Sequence, residues 1–443
     1  MKNTIVRLIL LILPHGLWAQ EPPASFSLKE AVEWGMTYNR TLQRASLELQ
    51  KAHKEKWKTI SIGFPQINAN MQYQNNIEQP VTLIPAQFFG GNEGEFTEAI
   101  FGTKQTAFAT AELSQLLFDG TYIVGVQGIQ HYIKMAENVL EKTQIEVKKA
   151  IVTAYVNALV VKASLAILEK NATVLKKNIQ ETQALFDNGF TEEENLEQLQ
   201  LTLANLTTQI DYTKQAEILA DNVLKLLLGI EIDARPQWSN SLEQLTTLHL
   251  LKQNVEDYTN NIDIRLAEDN VVSEKLLYRL EKAKALPSFS AFINGSYMGN
   301  NDTFNFTDRR QKWFGSSAFG LRLRVPIFSS FGRAAGTQKA KLTLKQAETS
   351  LIETRSEVFV AWQNAINNFN LAQNNLETSK KNLALAQRIE QKNTVKFFEG
   401  LASSFELRQA QLQLYQAQQA WIQSMRQVIL DKTTLTTIIN NAQ

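Results

Sequence analysis

The sequence predicts a mainly α-helical protein with a β-barrel portion. Three observations carry that expectation: a tandem duplication, helical stretches of roughly 70 residues, and four short segments in which apolar and polar residues alternate. The duplication is read from landmarks that recur in the same order. The first half holds Phe64-Pro65-Gln66, then Leu117-Phe118-Asp119, then Asn188-Gly189-Phe190. The second half holds Leu286-Pro287-Ser288, then Ile327-Phe328-Ser329, then Glu399-Gly400-Leu401. Phe118 and Phe328 lie 210 positions apart, and Gly189 and Gly400 lie 211 apart. Pro65 and Pro287 are 222 apart, so the first copy carries about twelve extra residues between its proline and Phe118.

The elements follow in chain order. Residues 1–19 read as a secretory signal peptide: Lys2 and Arg7 are its positive region, Leu8–Leu13 its apolar core, and Leu17-Trp18-Ala19 its cleavage site. Residues 20–229 form the first repeat. Helix is expected over 27–62, strands near 66–76 and 106–118, a long helix over 120–188 and a further helix over 191–228. An equatorial linker, 230–253, leads to the second repeat, 254–443. There the expectation is helix over 254–285, strands near 288–298 and 316–326, a long helix over 329–398 and a last helix over 401–439. In each repeat the two shorter helices together nearly equal the long one, so stacked end to end beside it they build a wall of uniform height. Between Thr121 and Asn188 the only glycines are Gly125 and Gly128, and there is no proline. Such length implies coiled-coil packing. The apolar positions Val139, Ile145, Ile151, Tyr155, Leu159, Leu165, Leu168, Leu175 and Ile179 recur every three to six residues, a narrow stripe suited to a bundle wall.

Composition excludes several classes. A formal net charge of +1 over 443 residues gives no broad affinity for nucleic acid. The absence of cysteine removes disulfides, thiolate metal sites, thiol catalysis and an acylated N-terminal cysteine. A mean hydropathy of −0.23, with no long uncharged apolar run evident in the body, argues against a helical membrane protein. His53, His131 and His249 stand apart without ligand spacing, so no metal site is expected. No phosphate loop or nucleophile elbow is present, so neither an enzyme nor a cofactor is expected.

The strands raise a membrane. In Ile67–Gln74 apolar and amide residues alternate; in Phe289–Tyr297 the odd positions are mostly apolar; in Phe319–Val325 Arg322 and Arg324 alternate with aliphatic residues. The segment Thr106–Phe118 alternates less cleanly. Segments of about ten residues with period two suit a transmembrane β-barrel, although each alone also suits a half-buried soluble strand. Four strands cannot close a membrane barrel, for which about eight is the practical minimum. Three chains giving four strands each make twelve.

These residues together resemble the TolC-type outer-membrane efflux proteins over about residues 26–440. The resemblance rests on the duplicated Pro65 and Pro287, the duplicated strand-to-helix Phe118 and Phe328, and the Gly189 and Gly400 turns. Leu227-Leu228-Gly229, which ends the first copy, also fits. It implies a homotrimer in the Gram-negative outer membrane, with one shared 12-stranded barrel continuous with a long α-helical periplasmic tunnel. It further implies a passive exit duct of a tripartite efflux pump, docked to a periplasmic adaptor (membrane fusion) protein and an inner-membrane pump of RND or ABC type. The outer-membrane component of type I protein secretion shares this fold and is the alternative. A soluble periplasmic coiled-coil scaffold would explain the helices and leave the strands unexplained. Without an acylated cysteine, the chain is expected to be held by its barrel in outer-membrane lipid.

The candidate site residues are at the turns and in the barrel. Gly189 and Gly400 fit left-handed helix stops. Thr191 with Glu194, and Ser403 with Glu406, fit capping boxes for the following helices. By the resemblance these hairpins form the periplasmic tip and gate. Glu192, Glu193, Glu194 and Glu406, repeated three times about one axis, would make an acidic ring favouring cations; the plainer reading of Glu192–Glu194 is an acidic first turn complementing the helix dipole. Where the family carries a tip arginine and one of its acids, this sequence has Ala402 and Gln409. Arg322 and Arg324 are expected in the barrel lumen, because arginine facing lipid costs about 2–4 kcal/mol near the midplane. The loops 77–105 and about 300–314 should face outward.

Overall fold

A computed structural model describes residues 23–249 and 257–439. The expected signal peptide lies outside the described residues. The chain is mainly helical, and its residues divide into two compact units. One comprises the described residues of Met1–Gln43, Thr143–Asp257 and Ala361–Gln443; the other comprises Arg44–Lys142 and Tyr258–Val360. Each unit therefore draws on both sequence repeats.

The first expected helix is two helices, α1 (Leu28–Tyr38) and α2 (Arg40–Ser61). Asn39 makes the break, with extended backbone at φ −61°, ψ 125°. Its side-chain oxygen accepts from the amides of Thr41 and Leu42, capping α2, while its amide nitrogen donates 2.7 Å to the Leu227 carbonyl. A buried asparagine that competes for backbone partners ends one helix and starts another, which the absence of proline and the single Gly35 had concealed.

In the first unit the central helix is α3 (Gly120–Asp187), which contributes its C-terminal part here. The helix α4 (Glu193–Leu228) follows it. Ile151, Tyr155, Leu224 and Leu228 pack with Phe26, Trp238 and Ile429 in one buried core. The two-residue strands β1 (Ser25–Phe26) and β6 (Gln237–Trp238) pair in parallel beside it. The Tyr155 hydroxyl donates 2.8 Å to the Phe26 carbonyl and accepts from the Asn240 amide. Within the expected linker lies a further helix, α5 (Leu242–His249), whose Leu242 and Leu245 join the core. The last helix, α8 (Ser404–Ile438), meets α3 along a partly polar seam. Ser164 and Asn171, seven residues apart, bond Gln419 at 3.4 Å and Gln418 at 2.8 Å. One 18-residue window of α3 has a mean hydropathy of 1.9, which the sequence reading had not picked out. More than half of that window is buried by protein, so its hydrophobicity is used in packing. Of the expected stripe, Ile151, Tyr155, Leu159, Leu168 and Leu175 are buried, whereas Val139 is exposed.

The second unit is built on a four-stranded antiparallel sheet. Its strands are β2 (Gln66–Asn75), β5 (Gln105–Asp119), β7 (Ser288–Asn301) and β8 (Trp313–Arg324), in the order β2-β5-β7-β8. Pro65 and Pro287 stand immediately before β2 and β7, where a missing N–H costs the ladder nothing. The run Leu116-Leu117-Phe118 at the end of β5 has a local cause: a register shift between Leu116 and Phe118, which sets Phe118 opposite Phe289. The helix before β7, α6, spans Ile262–Ala283 and begins later than expected because Asn261 caps it, accepting from the Asp263 amide. The two strand-to-helix joints differ. Asp119 accepts from the amides of Thr121 and Tyr122, so β5 runs straight into α3. After β8 the chain needs a longer connection, with Ser330 and Phe331 at positive φ, before α7 (Gly332–Phe398) starts. Phe328 lies in that connection and not on a strand. The expected outer loop 77–105 is itself a hairpin, β3 (Val81–Pro85) with β4 (Phe96–Ile100), closed by a 3₁₀ turn over Ala86–Phe89.

Replacing Tyr155 by Phe leaves the half-buried Asn240 amide without its acceptor. The expected loss is about 1–3 kcal/mol, checked as a lower thermal midpoint in detergent; an unchanged midpoint would show that the core does not use this hydroxyl.

Candidate functional site: a two-faced sheet and two helical turns

Paired residues of an antiparallel ladder point to the same side, so the register sorts the whole sheet into two faces. One collects Ile67, Ala69, Met71 and Tyr73 of β2 with Ala107, Ala109, Ala111 and Leu113 of β5. It continues through Phe289, Ala291, Ile293 and Tyr297 of β7 to Leu323, Leu321, Phe319 and Trp313 of β8. Ile67, Met71, Ile293, Phe319, Leu321 and Leu323 on it are all more than half exposed. The opposite face carries Asn68, Asn70, Gln72, Glu112, Thr110, Asn294, Ser296 and Ser316, with Phe108, Phe292, Met298 and Phe314 interspersed among them. Arg322 and Arg324 lie on this polar face, opposite Ser290 and Ser288, and the Arg322 guanidinium sits 5.1 Å from the Phe292 ring centre. A large apolar face left open on a folded sheet marks a surface that water does not cover.

The apolar face has a definite height. From Phe289 to Gly299, β7 climbs roughly 33 Å at about 3.3 Å per residue, and at the roughly 40° tilt of barrel strands this spans roughly 25 Å, the height of a membrane band. Aromatic side chains mark its far end. Tyr73 lies 5.5 Å from Phe304 and 5.9 Å from Phe306, and Phe306 lies 6.1 Å from Trp313. Such a belt is characteristic of a membrane interface. At the other end all four strands connect to helices.

The helical turns belong to the first unit. Gly189 and Gly400 have φ of 75° and 72°, conformations that a side chain disfavours. Each closes a Schellman motif: the Phe190 amide donates 2.8 Å to the Leu185 carbonyl, and the Leu401 amide 2.7 Å to the Lys396 carbonyl. Past Gly400 the chain does as its spacing predicts. Ser403 and Glu406 form a capping box at the start of α8, and these bonds hold the Glu406 carboxyl below the ordinary carboxylate range, the Ser403 amide being the main cause.

The first-repeat turn departs from expectation. Helix α4 begins at Glu193, so Glu192 is its N-cap and has no side-chain capping bond. Thr191 therefore stands one residue too early to cap, and its hydroxyl accepts instead from Asn195 at 3.0 Å. Glu194 accepts from Gln198 one turn further on. Glu193 and Glu194 remain in the first turn of α4, the plain dipole-complementing position. The starts of α8 and α4 meet where Ser404 donates to Gln198 at 3.4 Å. Sequence reading missed the apolar residues beside the glycines: Phe190, Leu401 and Phe405 are 79%, 72% and 59% exposed. For Phe190 and Leu401 the position directly after each helix stop was the available signal, because a residue there usually packs back on its helix; Phe405 lies in the first turn of α8. His131 and His249 bond backbone carbonyls of Asp269 and Leu245. Among the described residues no group of three metal-ligating side chains occurs.

A sheet with one apolar and one polar face, joined to very long helices, defines an outer-membrane channel fold. Comparison with known proteins agrees. A family model described as "Outer membrane efflux protein" matches residues 256–441, which bears out the resemblance read from the sequence. The efflux pump outer membrane proteins TtgC and ArpC of Pseudomonas putida are 25% identical over 187 residues, 41% of this chain. The chain spans 37% of the length of these curated relatives. The fold is similar over 93% of the chain to CusC (TM-score 0.75, 18% identity, 91% of that chain). It is likewise similar to VceC from Vibrio cholerae (0.73, 13%, 96% of that chain) and to the Campylobacter jejuni CmeC outer membrane channel (0.74, 16%, 85% of that chain). The descriptions of the family model, of VceC and of CmeC name outer-membrane proteins, and that of CmeC an outer membrane channel.

Two outcomes follow at the turns. Ser403→Ala removes a capping side chain, worth about 1 kcal/mol, and should speed amide exchange at the start of α8, whereas Thr191→Ala should leave the start of α4 unchanged. Because the Glu406 pKa is depressed below its ordinary 4.5, its stabilisation is present above that value and lost as pH falls through the folded pKa. Amide exchange at the start of α8 should therefore accelerate as pH drops below about 4.5, after correction for intrinsic rates.

Proposed function

We propose that the protein is the exit duct of a tripartite efflux pump, working passively as a homotrimer. The carrying observation is the four-stranded sheet with a membrane-high apolar face and two unpaired edges, β2 and β8. Three copies, each pairing its β8 edge with the β2 edge of the next, would close a 12-stranded barrel with no free backbone groups. Its lumen would be lined by the polar face, Arg322 and Arg324 included, and its wall would continue into the helices of the periplasmic tunnel.

The two helical hairpins would form the periplasmic tip. Gly189 and Gly400 turn the chain there, and Glu192, Glu193, Glu194 and Glu406 would ring the opening in threefold repeat. The exposed Phe190 and Leu401 offer apolar contact to a periplasmic adaptor, which would couple the duct to an inner-membrane pump of RND or ABC type. TtgC and ArpC carry the descriptions of efflux pump proteins, and this supports efflux as the reading for this chain. In sequence terms residues 20–229 and 254–443 remain the two repeats and 230–253 the linker between them.

The primary test is the outer-membrane fraction of expressing cells, which should contain heat-modifiable trimers; their absence rejects the duct. Leu321→Arg puts a charge on the apolar face, costs about 2–4 kcal/mol near the midplane and should sharply reduce insertion, while Arg322→Leu should insert normally. Equal insertion of both would reverse the assignment of faces. In bilayer recordings, Glu193→Gln with Glu406→Gln should lower cation selectivity, and unchanged selectivity would reject the acidic ring.

A further inference from the structure

The two loops at the strand ends away from the helices carry opposite net charge; each joins one edge strand of the sheet to its inner neighbour, and Phe304 and Phe306 of the second reach across to Tyr73 of β2. The first, between β2 and β5, contains the β3–β4 hairpin. It holds Glu78, Glu93, Glu95 and Glu98 against the single cation Lys104. The second, between β7 and β8, runs from Asp302 to Lys312 and holds Arg309, Arg310 and Lys312 against Asp302 and Asp308, a net charge of +1. Within one chain these charges stay largely unmatched. Arg310 pairs with its neighbour Asp308 at 3.0 Å. Arg309 and Lys312 make no ion pair among the described residues, nor do Glu93, Glu95 and Glu98, and all five are exposed. The contact between the loops inside the chain is at their bases, where the Lys104 amide donates 3.0 Å to Asp302.

The strand order then decides which groups meet. The acidic hairpin is attached to β2 on one edge, and the basic loop to β8 on the other. Closing the barrel brings β8 of one copy against β2 of the next. We propose that the β3–β4 hairpin of one copy docks on the β7–β8 loop of its neighbour, with Glu93, Glu95 and Glu98 facing Arg309 and Lys312. This rests on the trimeric reading above and names the partner of the hairpin as a second copy of this chain. The exposed Phe88, Phe89 and Phe96 of the hairpin gain cover in the same contact. Opposite charges at a joint that recurs three times also favour the right edge pairing, since turning one copy over would set like against like.

The chain has no cysteine, which makes the test direct. Full-length protein carrying Glu95→Cys and Lys312→Cys is oxidised in the outer membrane. The expected product is a ladder of disulfide-linked dimers and trimers that reductant removes, with neither single variant producing it. Glu93→Cys and Glu98→Cys, each paired with Lys312→Cys or Arg309→Cys, cover the reach a disulfide demands. Heat-modifiable trimers in which every pair links only within one chain, or not at all, overturn the docking and leave the duct standing. Absence of trimers in the unsubstituted protein overturns both. A second measurement uses charge. Glu93→Lys/Glu95→Lys/Glu98→Lys and Arg309→Glu/Lys312→Glu should each lower the temperature of trimer dissociation by several degrees, and their combination should restore it. These differences should vanish at 1 M salt, where the screening length is about 3 Å. Combined reversals that are no better than the separate ones overturn the charge pairing.

Discussion

The sheet of this protein cannot be finished by its own chain, and much of the molecule follows from that. Strands β2 and β8 each pair on one side only, leaving a row of backbone donors and acceptors on the other. Beside water such an edge is tolerable; in hydrocarbon each unsatisfied group costs several kcal/mol. The apolar face, with Ile67, Met71, Ile293, Phe319 and Leu321 exposed along it, belongs in hydrocarbon. In the proposed reading the same four strands therefore sit in a membrane and do not stop at four. In the proposed trimer, the assembly supplies the hydrogen bonds that the single chain lacks.

The helices answer a different demand. A wall made of helices with narrow apolar stripes has little interior, and this chain buries what it has in concentrated places. The core around Tyr155, Phe26 and Trp238 is the largest, and α3 spends its most hydrophobic stretch there. Elsewhere α3 and α8 meet through side-chain hydrogen bonds such as Asn171 to Gln418. Buried polar contacts of this kind add little net stability, yet each leaves an unpaired group if the helices shift, so they hold register where apolar packing is thin.

The duplication is looser in structure than in sequence. Phe118 ends a strand and Asp119 starts the helix at once, whereas Phe328 sits in a longer joint that passes through positive φ at Ser330 and Phe331. At the helical turns, one hairpin is closed by a full capping box and the other is not. The corresponding joints of the two sequence repeats are thus unequal, and the less firmly capped start of α4 is the one crowded with glutamates.

The sequence by itself determined the extents of the long helices and the positions of the four main strands, which are set by periodicity and by glycine and proline acting over a few residues; the channel class entered only through the resemblance. The split at Asn39 and the late start of α6 escaped it, because asparagine caps a helix only when its neighbours leave the right groups unpaired. Helix α5 escaped because its apolar residues needed a distant core to face. The capping box at Ser403 was legible and the one at Thr191 was not real, since a helix start shifted by one residue breaks the motif. Only the tertiary structure decided the strand order and register. Pairing β5 with β7 joins residues nearly two hundred positions apart, and no local preference encodes that choice. Yet it is this pairing that turns four ambiguous alternating segments into one sheet with an apolar side, a polar side and two unpaired edges.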